Sequence, residues 1–346
     1  MRGRTRPRRA RGDWWATLGD EQLLDVRFCD LKLTLAHRPL ARAIARLYAD
    51  LERRGIKFRP HCWLGEEWFT PDGVPGFAVP FYLAHPRLRR LERRMLGEVE
   101  GGNRNWFLRI LRHEAGHAID NAYRLRRRRQ WRETFGPASL PYPTLYRTRP
   151  GSRAYVQHLG SWYAQSHPTE DFAETFAVWL KPASRWRADY AGWPALAKLE
   201  YVDALMREVR DRPAAVRSRQ RIDALADDTR TLREHYRAMR RRYAPPTRHE
   251  EDELLERVFA REPGRRPVRA ATLLRQLKPR LRARVVARTG ASEYLVHQVV
   301  RSAIRRATEL ELYARGDRRR ALRHCEWLLI RLTRAFARSV GRRQSL

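Results

Sequence analysis

The sequence predicts an α+β domain over residues 13–210, followed by an all-helical basic region over residues 264–346. Helix-type and strand-type hydrophobic patterns alternate in the first range, whereas the last range shows helical periodicity only. The last range also contains 22 basic and 5 acidic residues, and this net charge of +17 marks a change in composition. Between the two, residues 211–263 are expected to form a helical connector. Residues 1–12 include six Arg and no acid, so we expect a disordered Arg-rich arm there.

The composition limits the kinds of protein that the chain can be. With 346 residues, 42% hydrophobic residues and 11 Trp, the chain can bury a large core, which excludes disorder of the whole chain. The 73 basic and 39 acidic residues give a net charge of +34, which permits a nucleic-acid or acidic-protein partner without requiring one. The three Cys lie far apart, which argues against a disulfide scaffold and a thiolate zinc site. No signal sequence or membrane span is visible, so we expect a cytoplasmic protein.

The first elements are a helix and three strand-like segments. Apolar residues at helical spacing predict a helix over residues 38–54, which Gly55 ends. The strand-like segments are Ile56–Leu64, Trp68–Thr70 and Val74–Leu83. The turn over residues 71–73 is expected to join the last two as a hairpin. Because Pro75 and Pro80 lack a backbone N–H, we expect the last strand to lie at the edge of a small mixed sheet.

Helices dominate the remaining chain. The hydrophobic spacing predicts helices over residues 105–129, 168–180 and 193–210. Residues 136–162, rich in Pro, Gly, Ser and Tyr, are expected to form a long ordered loop. In the basic region, three amphipathic helices are expected around residues 268–287, 291–313 and 317–340. This Arg-rich region is either a docking module for nucleic acid or an acidic protein, or a solvated helical bundle without a ligand.

A candidate metal site lies in the motif His113-Glu114-Ala115-Gly116-His117. On a helix, His113 and His117 are one turn apart on one face, so both imidazoles can bind one metal ion, and Glu114 can contact a metal-bound water. The small residues Ala115 and Gly116 permit another element to approach closely. The alternative is a helix that carries two core histidines.

A third ligand must come from elsewhere, because a hydrolytic zinc site uses three protein ligands and one open position for water. The predicted helix over residues 168–180 offers Glu170 and Glu174, which are one turn apart on one face. One of them can bind zinc while the other accepts a hydrogen bond from a ligand imidazole and fixes its tautomer. His158 and His167 are rival ligands or residues of the loop.

These two motifs resemble those of the zincin metallopeptidases whose third ligand is a glutamate, the gluzincins. The resemblance rests on two segments: the HEAGH motif, with Asp120 three residues after it, and the EDFAETF segment, which begins 53 residues after His117. They are most similar to the anthrax lethal factor catalytic domain and to bacterial zinc-binding metallopeptidases. The resemblance implies a zincin-like fold for the first domain, with Glu170 as the third ligand of one Zn²⁺ ion. It also implies that Glu174 and Asp120 support the ligands and that Tyr163 contributes a catalytic hydroxyl. Asp171 departs from the family pattern, which has an aromatic residue there, so Glu174 stays open as the ligand.

The function expected from these residues is the hydrolysis of peptide bonds in a protein or peptide substrate. Glu114 would act as the general base for a zinc-activated water, and the hydroxyl of Tyr163 would help to stabilise the oxyanion. A peptide could add to the edge strand over residues 74–83 through main-chain hydrogen bonds. The second hypothesis is a nucleic-acid-associated binding protein on a zincin scaffold, in which zinc is structural or absent. The sequence contains no GxxxxGK[ST] loop and no GxSxG elbow, which disfavours nucleotide hydrolysis and serine-hydrolase chemistry.

Overall fold

The computed structural model describes residues 13–143, 146, 148–149, 151–159, 162–242, 248–263, 267–291, 293–315 and 318–344. In this part of the chain the α-helices are α1 (Asp20–Leu24), α2 (Arg38–Arg53), α3 (Pro86–Leu96), α4 (Arg104–Tyr123), α5 (Arg129–Phe135), α6 (Pro168–Leu180), α7 (Trp186–Asp189), α8 (Ala195–Val209), α9 (Leu232–Arg242), α10 (Arg248–Val258), α11 (Ala270–Thr289), α12 (Glu293–Glu309) and α13 (Arg318–Gln344). The strands are β1 (His61–Gly65), β2 (Gly76–Pro80), β3 (Phe259–Ala260) and β4 (Tyr313–Ala314). This helix-rich arrangement with a small sheet fits the α+β class that the sequence predicts. The arm expected over residues 1–12 lies outside the described residues.

Local sequence accounts for where α4 and α6 begin. The side-chain oxygen of Asn103 accepts a hydrogen bond from the backbone N–H of Trp106 at 2.9 Å, which caps α4. Helix α6 begins at Pro168, where a backbone N–H is not needed. The backbone N–H of Thr169 donates to the side chain of His167, which precedes the helix. Helix α6 therefore has the bounds that the sequence predicts.

Helix α4 ends earlier than the predicted helix over residues 105–129. Arg124 adopts a left-handed conformation with φ of 52°, and a 3₁₀ turn over Leu125–Arg127 leads into α5. The carboxylate of Asp120 accepts hydrogen bonds from the backbone N–H of Arg126 at 2.8 Å and from its Nε at 2.6 Å. A side chain of α4 thus stabilises the turn that ends the helix.

The small sheet differs from the predicted hairpin. Strands β1 and β2 pair in parallel along all five of their residues, whereas Trp68–Thr70 contributes a single antiparallel bridge between Phe69 and Ala78. Since Ala78 is also paired with Trp63 on its other side, β2 is not an open edge at this residue, and all of its residues are buried. Strand β2 therefore lies at the edge of a two-stranded sheet as predicted, except at Ala78, where Phe69 pairs with its free side. The addition of a peptide to this strand stays a prediction. Pro80 is tolerated because it is the last residue of the strand.

Helices α4 and α6 pack unusually closely. A Cβ atom at Gly116 would lie 3.0 Å from the Cα of Ala173 and 3.2 Å from Cδ1 of Phe176. Ala115 and Ala173 are fully buried at the same contact. Small residues on both helices therefore let the two backbones approach each other, which brings together the faces that carry the candidate site residues.

Buried apolar side chains form two large clusters. The first extends from Trp15 to Tyr236 and includes residues of α9, and the second extends from Leu255 to Ala337 and lies among α10, α11, α12 and α13. These last three helices occupy the region for which amphipathic helices were predicted. Strands β3 and β4 form a short antiparallel pair beside the second cluster.

The segment expected to be a helical connector, residues 211–263, is divided between the two clusters. Residues 211–231 are not helical. They run along the first cluster through backbone hydrogen bonds such as Val216 N–H to Ala122 O at 3.0 Å and Leu225 N–H to Leu64 O at 3.2 Å. Helix α9 packs with the first cluster and α10 with the second. The domain boundaries themselves stay a prediction.

None of the described helices combines the length and apolar character that crossing a membrane requires.

Candidate metal centre

Three side chains converge where α4 packs against α6. Nε2 of His113 lies 3.1 Å from Nε2 of His117. Oε2 of Glu170 lies 3.0 Å from the first nitrogen and 3.2 Å from the second. All three residues are buried, with at most 9% of their surface exposed. Among the described residues, they form the one group of His, Cys, Asp and Glu side chains whose ligand atoms are close enough to share an ion.

This donor set fits zinc. Imidazole nitrogen and carboxylate oxygen are preferred zinc ligands, and a tetrahedral ion with bonds of about 2.0–2.1 Å holds its ligand atoms about 3.3 Å apart. The triangle of ligand atoms has sides of 3.0, 3.1 and 3.2 Å. With neither a metal ion nor an added proton, the lone pairs of these buried atoms would face one another, which costs free energy. Three protein ligands are also the number found in catalytic rather than structural zinc sites.

Glu174 contacts the centre from behind His113 and is not one of the three converging groups. Its Oε1 lies 3.0 Å from Nδ1 of His113, on the side of the ring that faces away from Glu170. Its Oε2 accepts a hydrogen bond from the backbone N–H of Leu159 at 2.9 Å. A proton on Nδ1 leaves Nε2 with its lone pair toward the centre. Of the two glutamates that the sequence left open, Glu170 therefore has the position of a ligand.

The centre attracts positive charge. Burial opposes the protonation of His113, but the carboxylates of Glu170 and Glu174 outweigh burial and raise the pKa of this imidazole to about 10. Burial likewise opposes the ionisation of Glu170, yet His117 and His113 hold the pKa of its carboxyl well below the ordinary value. The carboxylate is thus ionised at neutral pH, and the group takes up a proton or a metal ion to balance it.

Glu114 and Tyr163 lie beside the three converging groups. The hydroxyl of Thr70 donates a hydrogen bond to Oε2 of Glu114 at 2.7 Å. The ring of Tyr163 lies 5.6 Å from the ring of His113, measured between centroids. Burial, followed by the negative charge of Glu170, raises the pKa of the Tyr163 hydroxyl. This hydroxyl therefore keeps its proton and can donate a hydrogen bond at neutral pH.

Sequence reasoning missed Tyr142 and Thr70. The hydroxyl of Tyr142 donates to Oε1 of Glu170 at 2.9 Å, and its ring stacks on that of His167 at a centroid distance of 3.9 Å. Tyr142 lies in the loop after α5 and Thr70 at the end of a strand-like segment, and both reach the centre only through contacts between residues far apart in sequence. Local spacing holds no signal for either of them.

Asp120, His158 and His167 do not take part in the group of ligand atoms. The carboxylate of Asp120 is bound by Arg126, as described above, and it hydrogen-bonds neither imidazole of the described centre. This carboxylate stabilises the end of α4, and its expected role in supporting the ligands stays a prediction. Nε2 of His158 donates to the carbonyl oxygen of Arg109 at 3.0 Å, and His167 precedes α6 as described. Neither histidine competes with the three converging groups.

A cleft of about 450 Å³ opens beside the centre. His113, Glu114 and Tyr163 line one end of it. The walls also include five further acidic side chains, those of Glu66, Glu67, Glu92, Glu98 and Glu100. Glu66 pairs with Arg230 and Glu98 pairs with Arg282. Burial raises the pKa of Glu92 to about 8. Among the described residues, no Lys or Arg lines the cleft, although the chain contains 73 of them. Gly290, at the end of α11, borders the cleft and lies directly against Tyr146, so the C-terminal helices form part of its rim.

The comparisons with known proteins agree with this chemistry over part of the chain. Residues 87–192 match the model of a family described as "Putative zinc-binding metallo-peptidase". This range is less than a third of the chain, and it contains α4 and α6 with all three converging side chains. No curated protein and no solved structure matches the chain.

Proposed function

We propose that the protein is a zinc-dependent peptidase in which His113, His117 and Glu170 hold one zinc ion and Glu114 is the general base. The observation that carries this proposal is the convergence of the three buried ligand atoms within 3.2 Å of one another. The family match over residues 87–192 supports it. The specific resemblance to gluzincins remains part of the proposal.

The chain's own groups divide the work of hydrolysis. When bound in such a site, zinc lowers the pKa of a coordinated water to about 7 and polarises a carbonyl group. The carboxylate of Glu114 takes the proton from the attacking water and passes it to the leaving amine. The hydrogen bond from Thr70 at 2.7 Å orients this carboxylate and leaves its other oxygen for the proton. The hydroxyl of Tyr163 donates to the oxyanion that forms on the carbonyl oxygen.

Two further residues hold the ligands in place. Glu174 fixes the tautomer of His113 through Nδ1. Tyr142 occupies one oxygen of Glu170 and leaves the other directed toward the imidazoles. Two of the three ligands, His113 and Glu170, are thus oriented by a second group.

The carboxylates of the cleft favour a substrate with basic side chains. Although Arg282 and Arg230 neutralise two of these acids and the pKa of Glu92 is raised to about 8, the described lining still has more acidic than basic groups and no Lys or Arg, which favours positively charged groups near the centre. The aromatic rings of Trp68 and Trp106, which also line it, offer cation–π contacts. We therefore infer that peptides with Arg or Lys near the scissile bond are the preferred substrates.

Two substitutions test the proposal. Glu114→Gln keeps all three ligands but removes the base, so this variant should bind about one zinc per chain and lose hydrolysis of a fluorogenic peptide. Glu170→Ala removes a ligand, so the purified variant should lose the zinc itself, as measured by elemental analysis. If Glu114→Gln hydrolysed the peptide as fast as the wild type, the assignment of the base would be wrong. The same variant separates the peptidase from a binding protein with structural zinc, because binding alone would survive the substitution.

A further inference from the structure

The exposed face of α13 is a stripe of four arginines and one tryptophan. The side chains described on this helix are those of residues 320–337, and the exposed ones are Arg320, Arg323, Trp327, Arg331 and Arg334. At 100° and 1.5 Å per residue, these five fall within an arc of about 80° and extend about 21 Å along the helix. No acidic residue interrupts them. We call this set the α13 stripe.

Packing of the helical bundle does not require the α13 stripe. The opposite face of α13 supplies the core of the second cluster with Cys325, Leu328, Leu329, Leu332 and Phe336, all of them buried. The helix therefore satisfies its apolar contacts without the exposed residues. Trp327 keeps 42% of its surface exposed, which places a large aromatic ring in water.

The bundle also uses other arginines for its ion pairs. Arg282 contacts Glu98 at 2.9 Å, Arg284 contacts Glu326 at 2.9 Å, and Arg306 binds Asp252. In the part of the chain that the structure describes, no acid lies within ion-pair distance of the three stripe residues Arg323, Arg331 and Arg334. Three guanidinium groups on one helix face are thus available to an anion from outside.

We propose that the α13 stripe binds single-stranded nucleic acid. Guanidinium groups bind phosphate through two parallel hydrogen bonds, and arginines at intervals of one to two turns can follow a flexible phosphate backbone. Trp327 lies in the middle of the row and offers an aromatic face on which an unpaired base can stack. The guanidinium of Arg331 lies 5.9 Å from the centroid of this ring, so a phosphate contact and a stacked base would be neighbours. This inference does not depend on the proposed peptidase activity.

Two other polyanionic partners fit the stripe less well. A duplex keeps its bases stacked on one another, so Trp327 would have no base to contact. A membrane surface binds amphipathic helices that bury their apolar face among the lipids, but the apolar face of α13 lies in the core of the bundle. The combination of the three arginines that have no described acidic partner with one exposed indole is typical of surfaces that hold single strands.

The experiment measures binding of the full-length protein to a fluorescein-labelled oligothymidylate of about 20 nucleotides by fluorescence anisotropy at several salt concentrations. The triple variant Arg323→Gln, Arg331→Gln, Arg334→Gln removes three phosphate contacts. For single strands each contact contributes about 0.7 to the slope of log K against log salt, so the slope should fall by about 2. Trp327→Ala should weaken binding about 5- to 150-fold with little change in slope, and Trp327→Phe should restore most of the affinity.

The control is a second triple variant with the same loss of charge. Arg42, Arg104 and Arg219 are exposed and make no ion pair with any described residue, and they lie in separate segments of the first cluster. Arg42→Gln, Arg104→Gln, Arg219→Gln should change the affinity less than about 3-fold. Equal losses in both triple variants would overturn the proposal, since net charge alone would explain the binding. Equally tight binding of a duplex, of polyglutamate or of phosphatidylserine vesicles through the same residues would overturn it in favour of that partner.

Discussion

The substitution Glu174→Gln removes the charge behind the His113 imidazole while it leaves the size of the side chain unchanged. Glu174 accepts two hydrogen bonds, from His113 Nδ1 at 3.0 Å and from the backbone N–H of Leu159 at 2.9 Å. A glutamine side chain has one acceptor oxygen and one amide NH₂ group. Either the N–H of His113 or that of Leu159 would therefore face another donor. Loss of such a partner typically weakens metal binding 10- to 100-fold, which corresponds to about 1.4–2.8 kcal/mol. We expect a zinc dissociation constant raised by this factor.

The assay is a titration of zinc-free protein in competition with a chromophoric chelator of known affinity. Asp171→Asn is the matched control, because Asp171 is the next buried acid on α6 but pairs with Lys198 at 2.6 Å instead of with an imidazole. This control should keep its zinc affinity within about 3-fold. If folded Glu174→Gln bound zinc as tightly as the wild type, the orienting role of Glu174 would be refuted. If both variants lost affinity equally, the effect would come from damage to α6.

Three further predictions concern catalysis, substrate charge and acid stability. Tyr163→Phe should lower kcat on the order of 10²-fold or more while zinc content stays unchanged, and an unchanged kcat would show that this hydroxyl does not contact the oxyanion. Replacing an Arg beside the scissile bond of a fluorogenic peptide by Glu should lower kcat/KM at least about 10-fold, and added salt should reduce this difference. Equal kcat/KM values for the two peptides would contradict the proposal that the acidic cleft selects basic substrates. The hydrogen bond from His235, together with Arg230, lowers the pKa of Glu66 to about 2. The carboxylate of Glu66 therefore takes up a proton more readily in the unfolded chain than in the folded one. Ionised Glu66 stabilises the fold above about pH 4.5, and this stabilisation is lost as the pH falls toward 2. In urea unfolding, the free energy of unfolding of the wild type should approach that of Glu66→Gln as the pH falls from about 4.5 toward 2. A difference that stayed constant over this range would refute the link between the ionisation of Glu66 and stability.

Much of the helical framework follows from local sequence. The bounds of α6 agree with the prediction, because Pro168 and the acids of the first turn mark its beginning. The motif around His113 and His117 likewise depends only on the helical period, which sets residues four apart on one face. Helix α4 was predicted too long, because the contact between Asp120 and Arg126 that ends it is a side-chain interaction that hydrophobic spacing does not report.

The sheet was harder to predict for a related reason. Trp68–Thr70 is the nearest strand-like neighbour of β2 in sequence, which favoured a hairpin. The structure instead pairs β2 with β1 in parallel over its whole length. Parallel pairing joins segments through a connection that crosses over, so nearness in sequence is a poor guide to it. Thr70, which donates to Glu114, is positioned by this arrangement.

Sequence by itself determined the chemical types and their helical spacing: two imidazoles one turn apart on α4, and two carboxylates one turn apart on α6. These follow from the 3.6-residue period, which acts within one helix. Only the tertiary structure decided that Glu170 contacts the Nε2 atoms of the two imidazoles while Glu174 contacts Nδ1 of His113. Both glutamates lie on one face of α6, and the way α4 crosses α6 at Gly116 and Ala173 determines which of them reaches the centre. The same holds for the carboxylates of the cleft, which come from the turn after β1, from α3 and from the residues after it. Contacts between residues far apart in sequence depend on packing, and no local pattern encodes them.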